Sequence, residues 1–211
     1  MHHIEPWSPI FPSTDPKYLA EFRAAVEKAK SSVVDIAVDG RHSQYSKDPA
    51  ERQASVKATN QWIDVAVALG SPSIRTHIDG GKDSKPDVAL TAETLARNAE
   101  YGAKKNVVVH LENDNPISED PFFIAQIIEK VNSPWLRALP DFGNSLAAHG
   151  PTTELKGLWL ILSLSGWSKS ATKFALLSTR IAAHFSCRHT SWAFGARRAG
   201  TSVSRALIPI N

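Results

Sequence analysis

Apolar residues along the first 150 positions alternate between two rhythms, a three- and four-residue spacing and short continuous runs. Tyr18, Leu19, Phe22, Ala25, Val26 and Ala29 follow the first rhythm, which predicts a helix over Asp15–Lys30 with one buried face. Thr14 or Asp15 can accept from the free amides of its first turn, and Pro16 suits a position that needs no amide. The run Ser32–Val38, closed by Asp39 and Gly40, predicts a strand ending in a turn.

The alternation then repeats three times. Asp48 and Pro49 open a second helix, whose Val56, Trp62, Ile63, Val65, Ala66 and Leu69 supply apolar positions before Gly70 ends it. A strand Ser73–Ile78 follows, closed by Asp79, Gly80 and Gly81. A third helix is expected from about Pro86 to Tyr101, stopping at Gly102, and the strand from Val107 comes next. Asp120 and Pro121 open a fourth helix, with Phe122, Phe123, Ile124, Ile127, Ile128 and Val131 inward, and the strand from Leu136 follows it.

Strands beginning near 33, 73, 107 and 136 that alternate with helices imply βαβ units and a parallel sheet. A doubly wound nucleotide-binding sheet normally carries a glycine-rich phosphate loop after an early strand, and none occurs here. The expected fold class is therefore α/β, an incomplete (β/α)₈ barrel. Its first strand looks absent, apart from a fragment ending at Glu5 in His3–Trp7.

Two of these strands run apolar and end in a carboxylate, Val107–Glu112 and Leu136–Asp141. Glu112 and Asp141 are 29 positions apart, about one βα unit, which sets them side by side at the C-terminal end of the sheet. Two neighbouring carboxylates there suggest half of a divalent-metal site. A salt bridge from Glu112 to a nearby Arg or Lys would satisfy a buried carboxylate equally well. His110 shares a strand face with Glu112 and can line the same cavity, or pack as a hydrogen-bonded core residue. Asp141 precedes Phe142, Gly143 and Asn144, and the Asn144 amide can both donate to and accept from a polyol, while the same stretch also reads as a simple turn. Arg75 and His77 share a face of the Ser73 strand and can meet a hydroxyl or a phosphate.

Composition changes the picture beyond residue 150. Residues 151–211 hold eight bases and one acid, Glu154, whereas residues 1–150 hold 16 bases and 20 acids. Such a tail, with Trp159, Trp167, Trp192 and Phe194 among its bases, can bind nucleic acid or an anionic surface. The 42% apolar content is that of a globular domain, and no run is long enough to span a bilayer. One cysteine, Cys187, excludes an internal disulfide, and the start lacks a signal-peptide layout, so a cytoplasmic location is expected.

The segments Asn98–Gly102, Asn106–Asn115, Ser118–Asp120 and Leu139–Asn144 resemble the xylose isomerase-like TIM-barrel superfamily, the sugar isomerases and epimerases often called sugar phosphate isomerase/epimerase. The resemblance covers roughly residues 3–150. It implies a divalent cation (Mn, Mg, Zn or Co) held by Glu, Asp, His and Glu at four strand ends, with Glu112 the first ligand and Asp141 the second. It also implies that the first and last Glu move a proton between adjacent carbons of a bound ketose or ketose phosphate while the cation stabilises the enediolate oxygens. Substrate contacts would fall to His77, His110 and Asn144, and a homo-oligomer is compatible with the family. The superfamily also contains endonuclease-IV-type repair enzymes with several zinc ions, so fold alone leaves a repair enzyme or a basic-tailed nucleic-acid-binding protein as alternatives.

The last glutamate of that pattern has no counterpart, since residues after Glu154 contain no acid, and neither His184 nor His189 ends a convincing strand. Residues 1–150 thus read as a partial barrel and 151–211 as a segment out of the native frame, giving a truncated and impaired enzyme. Reading Gly200–Arg205 from the third base of the Ala199 codon permits the series Trp, Tyr, Phe, Ser, Ile, Glu, an apolar strand ending in a glutamate. Sequencing the genomic locus beyond codon 150 in all three frames is expected to recover that strand in another frame; an intact frame supported by the transcript would overturn the idea.

Overall fold

The computed structural model describes residues 2–80, 85–114 and 120–141. Asn144 and the basic segment 151–211 lie outside the described residues. Five strands run in chain order, β1 (His3–Ile4), β2 (Ser32–Val33), β3 (Ser73–Thr76), β4 (Val108–Glu112) and β5 (Leu136–Leu139). Between them lie α1 (Pro16–Lys28), α2 (Pro49–Leu69), α3 (Val88–Lys105) and α4 (Pro121–Val131).

Each helix starts on an aspartate whose carboxylate accepts a first-turn amide: Asp15 from Tyr18, Asp48 from Ala50, Asp87 from Leu90 and Asp120 from Phe122, all at 2.9–3.0 Å. Three of the four place proline directly after that aspartate, where the missing amide costs nothing. In α3 the order is reversed, and Pro86 stands before the cap Asp87 rather than opening the helix.

All pairings are parallel and sequential. β1 pairs with β2, β3 with β4 and β4 with β5, while an isolated bridge from Ala37 to Arg75 joins the two sets. The fragment before Glu5 is thus a real first strand, short but in register, with Val34 donating to the Ile4 carbonyl at 3.0 Å. The Ser32–Val38 run is regular only over its first two residues. Val34 and Ala37, three apart instead of two, both donate toward the first strand, so one residue is extra, and the Asp35 carboxylate takes the amide of Ile36 at 2.9 Å. That is a β-bulge built around a buried acid.

α2 packs on β3, α3 on β4 and α4 on β5. Ile74, Val109 and Leu136 are register partners, as are Thr76, Leu111 and Ala138, and these residues form the face that meets the helices at 0–3% exposure. Ile63, Leu95, Ile124 and Ile127 close the same core from the helical side. Arg75, His110, Glu112 and Arg137 occupy the alternate positions, so the sheet face away from the helices is charged.

Gly102 does not stop α3. The helix continues to Lys105 and ends at Asn106, whose φ of 59° is the left-handed cap. Glycine is needed at 102 because a Cβ there would sit 2.4 Å from the Val107 carbonyl oxygen, where the chain enters β4. Within a helix, alanine normally improves on glycine by about 1 kcal/mol. Gly102→Ala is expected to do the reverse, lowering stability by about 1–3 kcal/mol in urea denaturation, because α3 must back away from β4.

Candidate active site

β3 and β4 lie in register with Arg75 opposite His110, and β5 sets Arg137 on the other side of that histidine. Three basic side chains therefore form one row across the charged face. Two of them, Arg75 and His110, meet acids. Arg75 bonds Glu5 through Nε and Glu112 through Nη1, bridging β1, β3 and β4. His110 Nδ1 lies 3.0 Å from Asp35 Oδ2, the carboxylate of the bulge. Arg137 turns toward the strand's start and donates to the Ser133 carbonyl at 3.1 Å, and burial lowers its pKa.

The Glu112 side chain is only 10% exposed, against 26% for Arg75 and 40% for Glu5. A carboxylate that withdrawn from water needs a cation and hydrogen bonds, and the guanidinium supplies both. The salt-bridge reading of Glu112 is thus realised in this structure. Asp141 lies two positions past Leu139, the register partner of Glu112. Its backbone is fastened by Asn113, whose side chain donates to the Asp141 carbonyl at 2.8 Å and accepts from the Asp141 amide at 2.7 Å. The 1%-exposed Asn113 therefore continues the β4–β5 ladder with its side chain and holds the two acidic strand ends together.

His77 stands apart from Arg75 although the two share a strand face. Its Nε2 is 3.2 Å from Asp79 Oδ1 and its Nδ1 3.6 Å from Asp114 Oδ2. The Asp79 hydrogen bond, reinforced by the charges of Asp79, Asp114 and Asp39, raises the His77 pKa above 6.5, against an opposing effect of burial. A cavity of about 580 Å³ opens at the same end of the first two strands, lined by Ser8, Asp39, Arg41, His42, Gln44 and Trp62 among others. Glu112, Asp141, His77 and His110 do not line it.

Among the described residues no three His, Cys, Asp or Glu side chains converge as a group able to hold a metal ion. The described strand ends do not by themselves form such a group, since the acid of β4 is already satisfied. Glu112 is a nearly buried carboxylate already charge-paired with a guanidinium, and Asp141 has its backbone fastened to the neighbouring Asn113. Asn113, Asp35 and the pairing role of Glu5 were not singled out from sequence. Asp35 had a visible signal, a lone acid inside an apolar run, whereas Asn113 is one polar residue among several after Glu112.

Five sequential parallel strands with helices on one face and charged strand ends on the other define part of a (β/α)₈ barrel. The chain belongs to the xylose isomerase-like TIM barrel family, whose model matches residues 1–188, beyond the compositional break at 150. Among solved structures it is similar to a D-tagatose 3-epimerase-like protein (18% identity, TM-score 0.60, covering 70% of this chain and 59% of that one). It is also similar to a D-psicose 3-epimerase solved in the presence of D-fructose (12%, 0.63, 72% and 57%). A third is a xylose isomerase-like TIM barrel protein from Mycobacterium smegmatis in complex with magnesium (18%, 0.59, 77% and 59%). The chain thus spans less than two thirds of each of these relatives, and the likeness is one of fold. No curated protein matches the sequence. No helix among the described residues is long and apolar enough to cross a membrane.

The raised His77 pKa has a definite pH consequence. Its protonated form is favoured by folding, so its contribution to stability is fully present below pH 6.5 and is lost as pH rises through the folded-state value. The urea midpoint is expected to fall with rising pH across that window. Asp79→Asn is expected to flatten the slope and return the His77 titration, followed by proton NMR, toward 6.5.

Proposed function

We propose that this chain is a divalent-metal-dependent sugar or sugar phosphate isomerase or epimerase, with Glu112 and Asp141 as two of the cation's ligands. The observation that carries the reading is the pair of strand-end acids, Glu112 nearly buried against a guanidinium and Asp141 on a backbone that Asn113 fastens to the end of β4. The similarity in fold to D-tagatose-type and D-psicose epimerases and to a magnesium complex supports it. Glu112 is the proton-transferring base, and His77 and His110 at the same sheet end orient substrate hydroxyls. Bound there, a cation supplies Lewis-acid polarisation of the ketose carbonyl.

Among the described residues this gives the cation two oxygen ligands, and two such ligands alone hold a divalent ion weakly. Neither the basic-tail reading nor the repair-enzyme reading has an observation in its favour among the described residues, since the tail lies outside them and no cluster of histidines forms.

In deuterated water with Mn²⁺, D-fructose, D-psicose and their phosphates are expected to take up solvent deuterium at the carbon beside the carbonyl, read by NMR. Glu112→Gln is expected to lower that exchange by about 10²–10⁴-fold. Asp141→Asn is expected to raise the Mn²⁺ concentration needed for half-maximal exchange. Exchange unaffected by Glu112→Gln would overturn the reading.

A further inference from the structure

We propose that the cavity between the first two βα units is a binding site for an uncharged sugar or cyclic polyol, separate from the strand-end acids. Its lining comes from three stretches near the start of the chain: Ser8, Pro9 and Phe11, the loop 38–44, and a stripe of α2 that includes Ser55, Thr59 and Trp62. Positions 55, 59 and 62 follow the three- and four-residue spacing that sets side chains on one face of a helix. No residue of β3, β4 or β5 lines the cavity, so the inference stands apart from the reading of Glu112 and Asp141. Its volume of about 580 Å³ has room for a ligand the size of a sugar ring.

Two hydroxyls on the α2 stripe are left for such a ligand. Ser55 and Thr59 are 4% and 6% exposed, and among the described residues neither hydroxyl bonds a protein group. Buried hydroxyls are almost always bonded, and within a helix they commonly reach the carbonyl four positions back. Thr94 of α3 does so, donating to the Leu90 carbonyl at 2.9 Å. Ser8 supplies a third hydroxyl, whose oxygen accepts from the Asp39 amide at 3.1 Å and whose proton is left over.

The charged groups in the lining define the class of ligand. Arg41 is exposed and makes no hydrogen bond or ion pair among the described residues, but Asp39 stands two positions away on the same loop. His42 is already held by Glu51 at 3.2 Å. One acid thus balances one base, so neither an anion nor a cation is favoured. Asp39 takes Trp7 Nε1 on one oxygen at 2.8 Å and keeps the other as an acceptor. Donors from Arg41 and the hydroxyls, together with the Asp39 acceptor, suit vicinal hydroxyl groups, each of which both donates and accepts. An apolar ligand would leave those groups unpaired. The half-buried Trp62, packed edge-on against Phe11 with centroids 5.6 Å apart, adds a flat apolar surface for the C–H face of a sugar ring.

Binding is read on the full chain by isothermal titration calorimetry with D-glucose, D-fructose and myo-inositol, with folding checked by circular dichroism. At least one of the three is expected to bind. Thr59→Val keeps the shape of the side chain and removes the hydroxyl, and is expected to weaken binding about tenfold. The urea midpoint of the unliganded variant is expected to be unchanged or higher, because the lost hydroxyl had no protein partner. A hydroxyl with only a structural role would give the reverse, a lower midpoint with unchanged affinity, and that result overturns the inference. Arg41→Ala, in an exposed loop, is expected to weaken binding by a similar factor and decides the matter if Thr59→Val does not fold. Glu112→Gln is expected to leave this binding unchanged. Binding lost in Glu112→Gln and kept in Thr59→Val and Arg41→Ala would put the sugar at the strand ends, which overturns this inference and supports the isomerase reading. Binding of none of the three probes overturns the inference too, and the deuterium-exchange experiment still judges the isomerase reading by itself.

Discussion

The interior of this half-barrel depends on neutralising Glu112. A carboxylate at the end of a buried parallel strand is costly unless a cation stands against it, and the chain supplies one from the adjacent strand. That pairing requires Arg75 and Glu112 to face the same side, which ties the β3–β4 register to the charge balance of the cavity. A one-residue slip of either strand would turn its charged side chain into the helical core, away from its partner. The ion pair is therefore part of what specifies the sheet as well as part of the site, and any external cation enters a structure that is already electrically complete.

The rest of the charged face follows the same rule of paired opposites in successive layers. Asp35 answers His110, Glu5 shares Arg75, and Asp79 and Asp114 flank His77. The bulge at Asp35 makes the connection between site and backbone explicit. The carboxylate takes the Ile36 amide and meets His110 with its other oxygen, so a break in the ladder and a contact in the cavity come from one side chain. Functional strands deviate where a polar side chain competes with the ladder for backbone groups.

Local patterns carried most of the fold into the sequence. The Asp–Pro starts, the apolar faces of the helices and the last four strands are all readable, because capping and amphipathic burial are short-range. Two features were misread for physical reasons. Gly102 looks like a helix stop, yet its role is steric, a gap for the Val107 carbonyl across the helix–strand contact, and that contact is invisible until the βα unit is assembled. The first strand was nearly invisible because two paired residues, His3 and Ile4, are too few to show a period, while their partners lie about 30 positions away. For the site, the acids at strand ends were legible and their partners were not. Whether Glu112 faces an arginine or a metal ion is decided by which side chain the neighbouring strand presents at that level.

Asn113 shows how far the described part of the chain determines the site by itself. β4 ends at Glu112 and β5 at Leu139, and past these points the backbone ladder no longer fixes the relative position of the two chains. The Asn113 amide makes both bonds that a continued ladder would make, one donated and one accepted, to the same residue, Asp141. The spacing between the two acidic strand ends is thus held by a side chain acting as backbone, buried at 1% exposure. The first five strands therefore fasten the backbone of Asp141 beside the end of β4, which is the part of the arrangement the fold itself sets.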